Sequence, residues 1–130
     1  MARNTRTFSD IDMNFGIHPV SKDVVHKYDE QAVKQSIKTL IMTRNHERPF
    51  HSEIGSQIRS MLFELPTPMT AALIRQQIID TINNFEPRAK ILDVTVLLAP
   101  ENNGICCTIT FLVTNTTTPV SIDLFLERTR

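Results

Sequence analysis

Apolar residues near the start of the chain recur two apart, at Ile11, Met13, Phe15 and Ile17, with Asp10, Asp12, Asn14 and His18 among the residues of the opposite face. That period predicts a strand or an extended arm within the first 20 or so residues, ended by Pro19. The rhythm then changes. Val33, Ile37, Leu40 and Ile41 make the stripe of an amphipathic helix, with Lys34, Gln35 and Lys38 on its polar side and Asp29 as a plausible cap. Residues 44–52, Arg-Asn-His-Glu-Arg-Pro-Phe-His-Ser, show no period and read as an exposed loop. Ile54, Ile58, Met61, Leu62 and Leu65 predict a short second helix entered near Gly55 and Ser56 and closed by Pro66. The third helix is the best punctuated. Thr67-Pro68 supplies a cap followed by proline at the first helical position, and Ala71, Ile74, Ile78, Ile82 and Phe85 follow at helical spacing. Glu86-Pro87 stops it, because a residue before proline is pushed out of the helical region.

Beyond Arg88 the period returns to two. Leu92, Val94, Val96 and Leu98 form one face of a strand, Pro100 to Gly104 make a turn, and Ile105, Cys107, Ile109, Phe111 and Val113 form the inward face of its hairpin partner. After a polar loop at 114–118 and Pro119, a last strand carries Val120, Ile122, Leu124 and Leu126 inward, opposed by Ser121, Asp123 and Glu127. Helices first and consecutive strands afterwards predict an α+β fold: about three helices packed on a small antiparallel β-sheet, built from a C-terminal hairpin and a final strand. A chain of 130 residues without internal repeats has room for one domain, residues 1–130.

Charge narrows the function classes. There are 14 basic and 14 acidic residues, and residues 1–50 hold 8 Lys/Arg against 6 Asp/Glu, so nothing gathers phosphates by bulk electrostatics and nucleic acid is not an expected partner. No apolar run approaches the roughly 20 residues of a membrane span, and Met-Ala-Arg-Asn-Thr-Arg opens no signal-peptide core; the chain is expected to be soluble and intracellular when made, with no membrane partner. Adjacent Cys106 and Cys107 are poorly placed for a structural disulfide, which fits a reducing compartment.

Candidate chemistry is sparse. Three glycines cannot assemble a phosphate loop, so nucleotide cofactors are not expected. His46 and His51, near Glu47 and Glu53, are the best place for a metal or an acid–base site, but loop histidines are usually solvated, and no metal, cofactor or catalytic residue is assigned. Strand geometry turns Cys106 and Cys107 to opposite faces, so at most one is buried, and no adjacent histidine activates either. Three features remain. Glu86-Pro87-Arg88 is either a helix stop with a charged surface corner or a rigid turn that holds a carboxylate and a guanidinium outward for a partner. Arg48-Pro49-Phe50, taken alone, is a loop aromatic tucked onto the core. The terminal strands leave sheet edges, and an open edge accepts a strand from another chain unless it is blunted.

Five segments together resemble a known family: Phe8-Ser9-Asp10-Ile11-Asp12, residues 44–55 with their Arg-Pro-Phe core and Gly55, Leu62-Phe63-Glu64, Thr67-Pro68, and Asn84-Phe85-Glu86-Pro87-Arg88 before a paired-strand tail. In order and spacing they are similar to the small baseplate wedge proteins of contractile-tailed phages, the sheath initiators, and to a baseplate subunit of type VI secretion systems. The resemblance covers nearly the whole chain. It implies a structural protein, assembled in the host cytoplasm, that sits in six copies on the tail baseplate near the tail tube. Its partners would be wedge core proteins and the tail sheath protein, whose arms add strands to its sheet. Carried over by position, Glu86, Pro87 and Arg88 would contact the wedge core, with Arg48 and Phe50 as further partner-binding candidates. The strands around 105–113 and 119–127, with Ile109, Phe111, Val120, Ile122 and Leu124, would receive the sheath arms, on an edge the sequence does not choose. Two other classes stay open: a tail-associated peptidoglycan hydrolase using Glu47, Glu53 or Glu86, and a cytoplasmic adaptor that binds a peptide strand.

Overall fold

A computed structural model describes residues 7–128. Its elements run β1 (Ser9–Ile11), β2 (His26–Tyr28), α1 (Asp29–Met42), α2 (Ile58–Met61), α3 (Pro68–Phe85), β3 (Ala89–Ala99), β4 (Gly104–Val113) and β5 (Pro119–Glu127). β3, β4 and β5 form an antiparallel sheet in that spatial order, and β1 and β2 form a separate antiparallel ribbon. One apolar cluster joins the helices to the inner face of the larger sheet. Val33, Ile37 and Ile41 of α1 and Ile74, Ile78 and Ile82 of α3 meet Val94, Ile109, Phe111 and Leu124 there.

The third helix runs as the sequence predicts. Thr67 Oγ1 accepts the N–H of Thr70 at 3.2 Å, Pro68 opens the first turn, and Glu86 leaves helical geometry at φ −126°, ψ 79°. The inward faces of β4 and β5 also follow the period, with Ile105, Cys107, Ile109, Phe111, Val113, Val120, Leu124 and Leu126 buried. The connection between β3 and β4 is a single 3₁₀ turn, Pro100–Asn102, closed by Asn103 in the left-handed region.

Four expectations need correction. First, the alternation from Ile11 to Ile17 does not make one strand: β1 ends at Ile11 and pairs with the unforeseen β2, and Ile11, Met13, Phe15 and Ile17 are all exposed. Second, Asp29 is not the cap of α1. It is the first helical residue, at φ 46°, and its Oδ1 accepts the N–H groups of Thr7 (2.8 Å) and Phe8 (3.1 Å), so the carboxylate ties the N-terminal strand to the helix. Third, the second helix is one turn, not a run from Ile54 to Leu65. Gly55 sits at φ 144°, where an added Cβ would lie 2.7 Å from the Arg44 carbonyl, and Ser56 is held by Thr43 O and Ile41 O, so the entry is fixed in a non-helical shape. Fourth, Leu92 is not on the inward face of β3. A bulge between Ile91 and Asp93 leaves it unpaired and half-exposed, and the buried face reads Ala89, Ile91, then Val94, Val96 and Leu98.

Burial orders the stability effects. Phe111, fully buried in the central strand, is expected to cost about 3–5 kcal/mol on truncation to alanine, against well under 1 kcal/mol for Leu92→Ala at the bulge. Urea unfolding of the two variants checks this; equal losses would return Leu92 to the core.

Candidate functional site: a charged corner and an open strand edge

The turn that ends α3 points its charges inward. Glu86 is only 2% exposed, which corrects the reading of an outward-held pair. Its carboxylate accepts Arg88 Nε at 2.7 Å and Nη2 at 2.9 Å, a two-point contact across the rigid Pro87. The same guanidinium donates to Asp10 Oδ2 from Nη1 and Nη2, both at 3.2 Å, and lies 5.6 Å from the ring centre of Phe8. Two of the segments that carry the family resemblance, 78 positions apart, therefore close on one arginine. Phe8 and Asp10 belong to a segment that carries the family resemblance, but their role at this corner was missed from sequence, as was Ser36, which also bonds the Glu86 carboxylate. Burial opposes ionisation of Glu86, but the hydrogen bonds from Arg88 and Ser36 and the Arg88 charge outweigh it and hold the carboxyl below its ordinary value of 4.5. Arg88 is pushed up in turn, chiefly by Glu86.

Phe50 is not a plug on the core. It is fully exposed at φ 66°, at the tip of a loop tied by His46 N to Ser52 O and by the Arg44–Ser56 bridge; Arg48 beside it is exposed as well. The loop acids are already engaged: Glu47 Oε2 accepts the N–H of Arg44 at 2.8 Å, and Glu53 lies 3.3 Å from His51 Nδ1. Among the described residues no group of three or more His, Cys, Asp or Glu is placed to hold a metal. Cys106 is exposed and Cys107 buried; burial pushes the Cys107 thiol up to about 12, so it stays protonated near neutral pH.

The sheet corrects one assignment and refines another. β4 is the central strand, paired on both sides, so Ile109 and Phe111 are core residues and no arm can pair with the backbone around 105–113. Among the described residues, β3 and β5 are the two edges of the larger sheet. α3 closes part of the β3 edge: Arg75 Nε donates to Val94 O at 2.8 Å, Arg75 Nη2 reaches Asp93 at 3.3 Å, and the Leu92 bulge interrupts the line. β5 is more regular. Arg128 N donates to Asn103 O, and the register pairs Leu126, Leu124, Ile122 and Val120 with Ile105, Cys107, Ile109 and Phe111. Because direction alternates along an antiparallel strand, Ser121, Asp123, Phe125 and Glu127 turn their N–H and C=O groups to the open side. Pro119, which has no N–H, falls in that outward set, where proline costs no ladder bond. Val120, Ile122 and Leu124 thus present backbone to β4 and side chains to the interior.

Residues 27–118 match the family model of baseplate wedge protein gp25. The chain is 35% identical over 97 residues to baseplate wedge protein gp25 of Enterobacteria phage T4, covering 75% of this chain and 73% of that protein. Its fold superposes on a protein named as a tail lysozyme of Geobacter sulfurreducens with a TM-score of 0.72 at 22% identity, covering 78% of this chain and 92% of that one. It superposes also on a chain of the anti-feeding prophage baseplate, with a TM-score of 0.65 at 20% identity, covering 95% and 87%. These structural likenesses show a shared α+β fold. The chain belongs to the baseplate wedge protein gp25 family and is a component of a contractile-tail baseplate.

Two outcomes follow from the site. In the unfolded chain Glu86 titrates at its ordinary value; in the fold it titrates lower, so its contribution to stability is full above 4.5 and is lost as pH falls through the lower folded value. Glu86→Gln is expected to flatten that acid limb in unfolding measured from pH 7 to 3, whereas Arg88→Ala, which strands the buried carboxylate, is expected to cost about 3–5 kcal/mol at pH 7; an unchanged limb together with a neutral Arg88→Ala would show the pair to be solvated. Native protein treated with iodoacetamide is expected to alkylate Cys106 and spare Cys107, as read by peptide mass spectrometry, with both modified only after denaturation.

Proposed function

We propose that this subunit is fastened to the wedge core of the baseplate and starts the sheath by accepting an extended arm of the sheath protein along β5. The observation that carries the reading is the asymmetry of the sheet: β3 is interrupted and capped by Arg75, while β5 offers a regular row of outward backbone groups from Ser121 to Glu127 that pair with no other described strand. Main-chain pairing is tolerant of sequence, so one edge suits a repeated polymer subunit. Val120, Ile122 and Leu124 anchor that edge to the core, with Ile109 and Phe111 behind them. The wedge side is the corner and the neighbouring loop. Glu86 orients Arg88 from within, Pro87 is the exposed apex, and Arg48 with the exposed Phe50 supplies a basic and an aromatic contact, the residue types that dominate protein interfaces. We read residues 1–130 as one wedge domain present in six copies, matching the six-fold symmetry of the anti-feeding prophage baseplate.

The reading is non-catalytic. A glycoside hydrolase needs one carboxyl kept protonated to donate, yet Glu86 is held ionised by Arg88, and Glu53 is lowered by hydrogen bonds, including one from His51. A peptidoglycan turnover assay with purified protein is expected to show no activity above buffer.

Proline substitutions separate the edge from the fold. Proline at Ile122 removes a bond to β4 and is expected to unfold the sheet, whereas Asp123→Pro keeps every backbone bond to β4 and loses an outward N–H and the exposed carboxylate that accepts the Thr108 hydroxyl. The Asp123→Pro protein is expected to keep native circular dichroism and baseplate incorporation while sheath polymerisation, followed by negative-stain microscopy, fails. Normal sheath growth on this variant would refute strand addition at β5.

A further inference from the structure

The open side of β5 faces a trough of about 570 Å³ whose opposite wall is α1. Met13, Met42, Ile122 and Leu124 supply apolar lining, and Lys34 and Lys38, one helical turn apart, stand over it. Neither lysine has an ion pair among the described residues, whereas Lys27 in the same wall is taken up by Asp12 at 3.1 Å. The two acids of the trough are engaged elsewhere: Glu47 on the Arg44 N–H and Asp123 on the Thr108 hydroxyl at 2.8 Å. The trough is therefore apolar at its floor and has two unmatched cations on its helix side.

A strand added to β5 turns every second side chain toward that wall. We propose that the trough selects an acidic extended segment, one whose wall-facing side chains combine carboxylates for Lys34 and Lys38 with small apolar groups for the methionines. The inference rests on strand addition at β5 and adds to it what backbone pairing cannot supply, a choice among possible strands. Backbone pairing holds the segment; the lysine row selects it and speeds its approach, in a manner that salt weakens.

The test is binding of fluorescein-labelled Thr-Val-Thr-Glu-Thr-Glu-Thr-Val-Thr, whose two Glu share one face at about the spacing of one helical turn, to the full chain by fluorescence anisotropy, beside the same peptide with Gln for both Glu. The Glu peptide is expected to bind about tenfold more tightly at low salt, two exposed charge pairs' worth. That preference is expected to vanish in the Lys34→Glu, Lys38→Glu double variant, and both peptides are expected to be lost in Asp123→Pro, with circular dichroism native throughout. Equal affinity for the two peptides, still lost in Asp123→Pro, overturns acid selection and leaves strand addition standing. An acid preference that survives Asp123→Pro overturns pairing at β5 and with it this inference. Failure of both peptides to bind overturns both claims. A dimer of the free chain in sedimentation, abolished by Asp123→Pro, would assign the trough to a second copy and also overturn the proposal.

Discussion

A carboxylate with 2% exposure persists as an anion only where a cation and hydrogen bonds replace the water it has lost, and at Glu86 that replacement is Arg88. The pair governs more than its own corner. It fixes the turn by which α3 passes to β3, so the helix lies across the sheet that follows it, and the remaining face of the guanidinium draws in Asp10 and Phe8, which bring β1 to the same point. Two segments distant in sequence thus share one charge. Proline between the two partners limits the conformations available to the turn in the unfolded chain as well as in the fold. The corner is a structural joint first; any partner that touches it meets Pro87 and the rim of Arg88, already oriented.

The rest of the molecule is a consequence of stopping a sheet at three strands. Such a sheet has two margins, and each is handled differently. On β3 the chain spends an arginine from α3 and a bulge to interrupt the ladder, while on β5 the outward groups stay in register from Ser121 to Glu127 beside a trough roofed by α1. A protein that had to avoid association would blunt both. Leaving one margin regular, with cations above it, is the arrangement expected where another polypeptide finishes the sheet, and under the proposed function it would divide anchoring at one end from templating at the other.

Legibility in the sequence tracked the distance over which each feature is decided. The third helix was readable because its stops, Thr67-Pro68 and Glu86-Pro87, act within a few residues, and β4 and β5 were readable because a period of two needs no knowledge of neighbours. The bulge at Leu92 was not, since only the pairing with Phe111 and Thr110 reveals the extra residue. Asp29 looked like a cap and serves the backbone of Thr7 and Phe8 instead, a choice made by a segment 21 positions away. Glu86-Pro87-Arg88 stood out in the sequence as part of the family resemblance; the direction of its charges did not, because whether a carboxylate faces in or out depends on an arginine, a serine and a distant aspartate closing around it. Arg75 and the trough lysines carried no motif at all, and they acquire meaning only beside the strand edges that they cap or overhang.

On the proposed function, β5 is completed by a foreign strand. A cryo-electron microscopy reconstruction of the assembled baseplate with its first sheath ring, at a resolution that traces backbone, tests it directly. A sheath segment is expected there, hydrogen-bonded to the outward groups of Ser121, Asp123 and Phe125, with acidic side chains near Lys34 and Lys38. A bare β5 margin, one covered by the chain's own residues, or a sheath arm seated on β3 would contradict it.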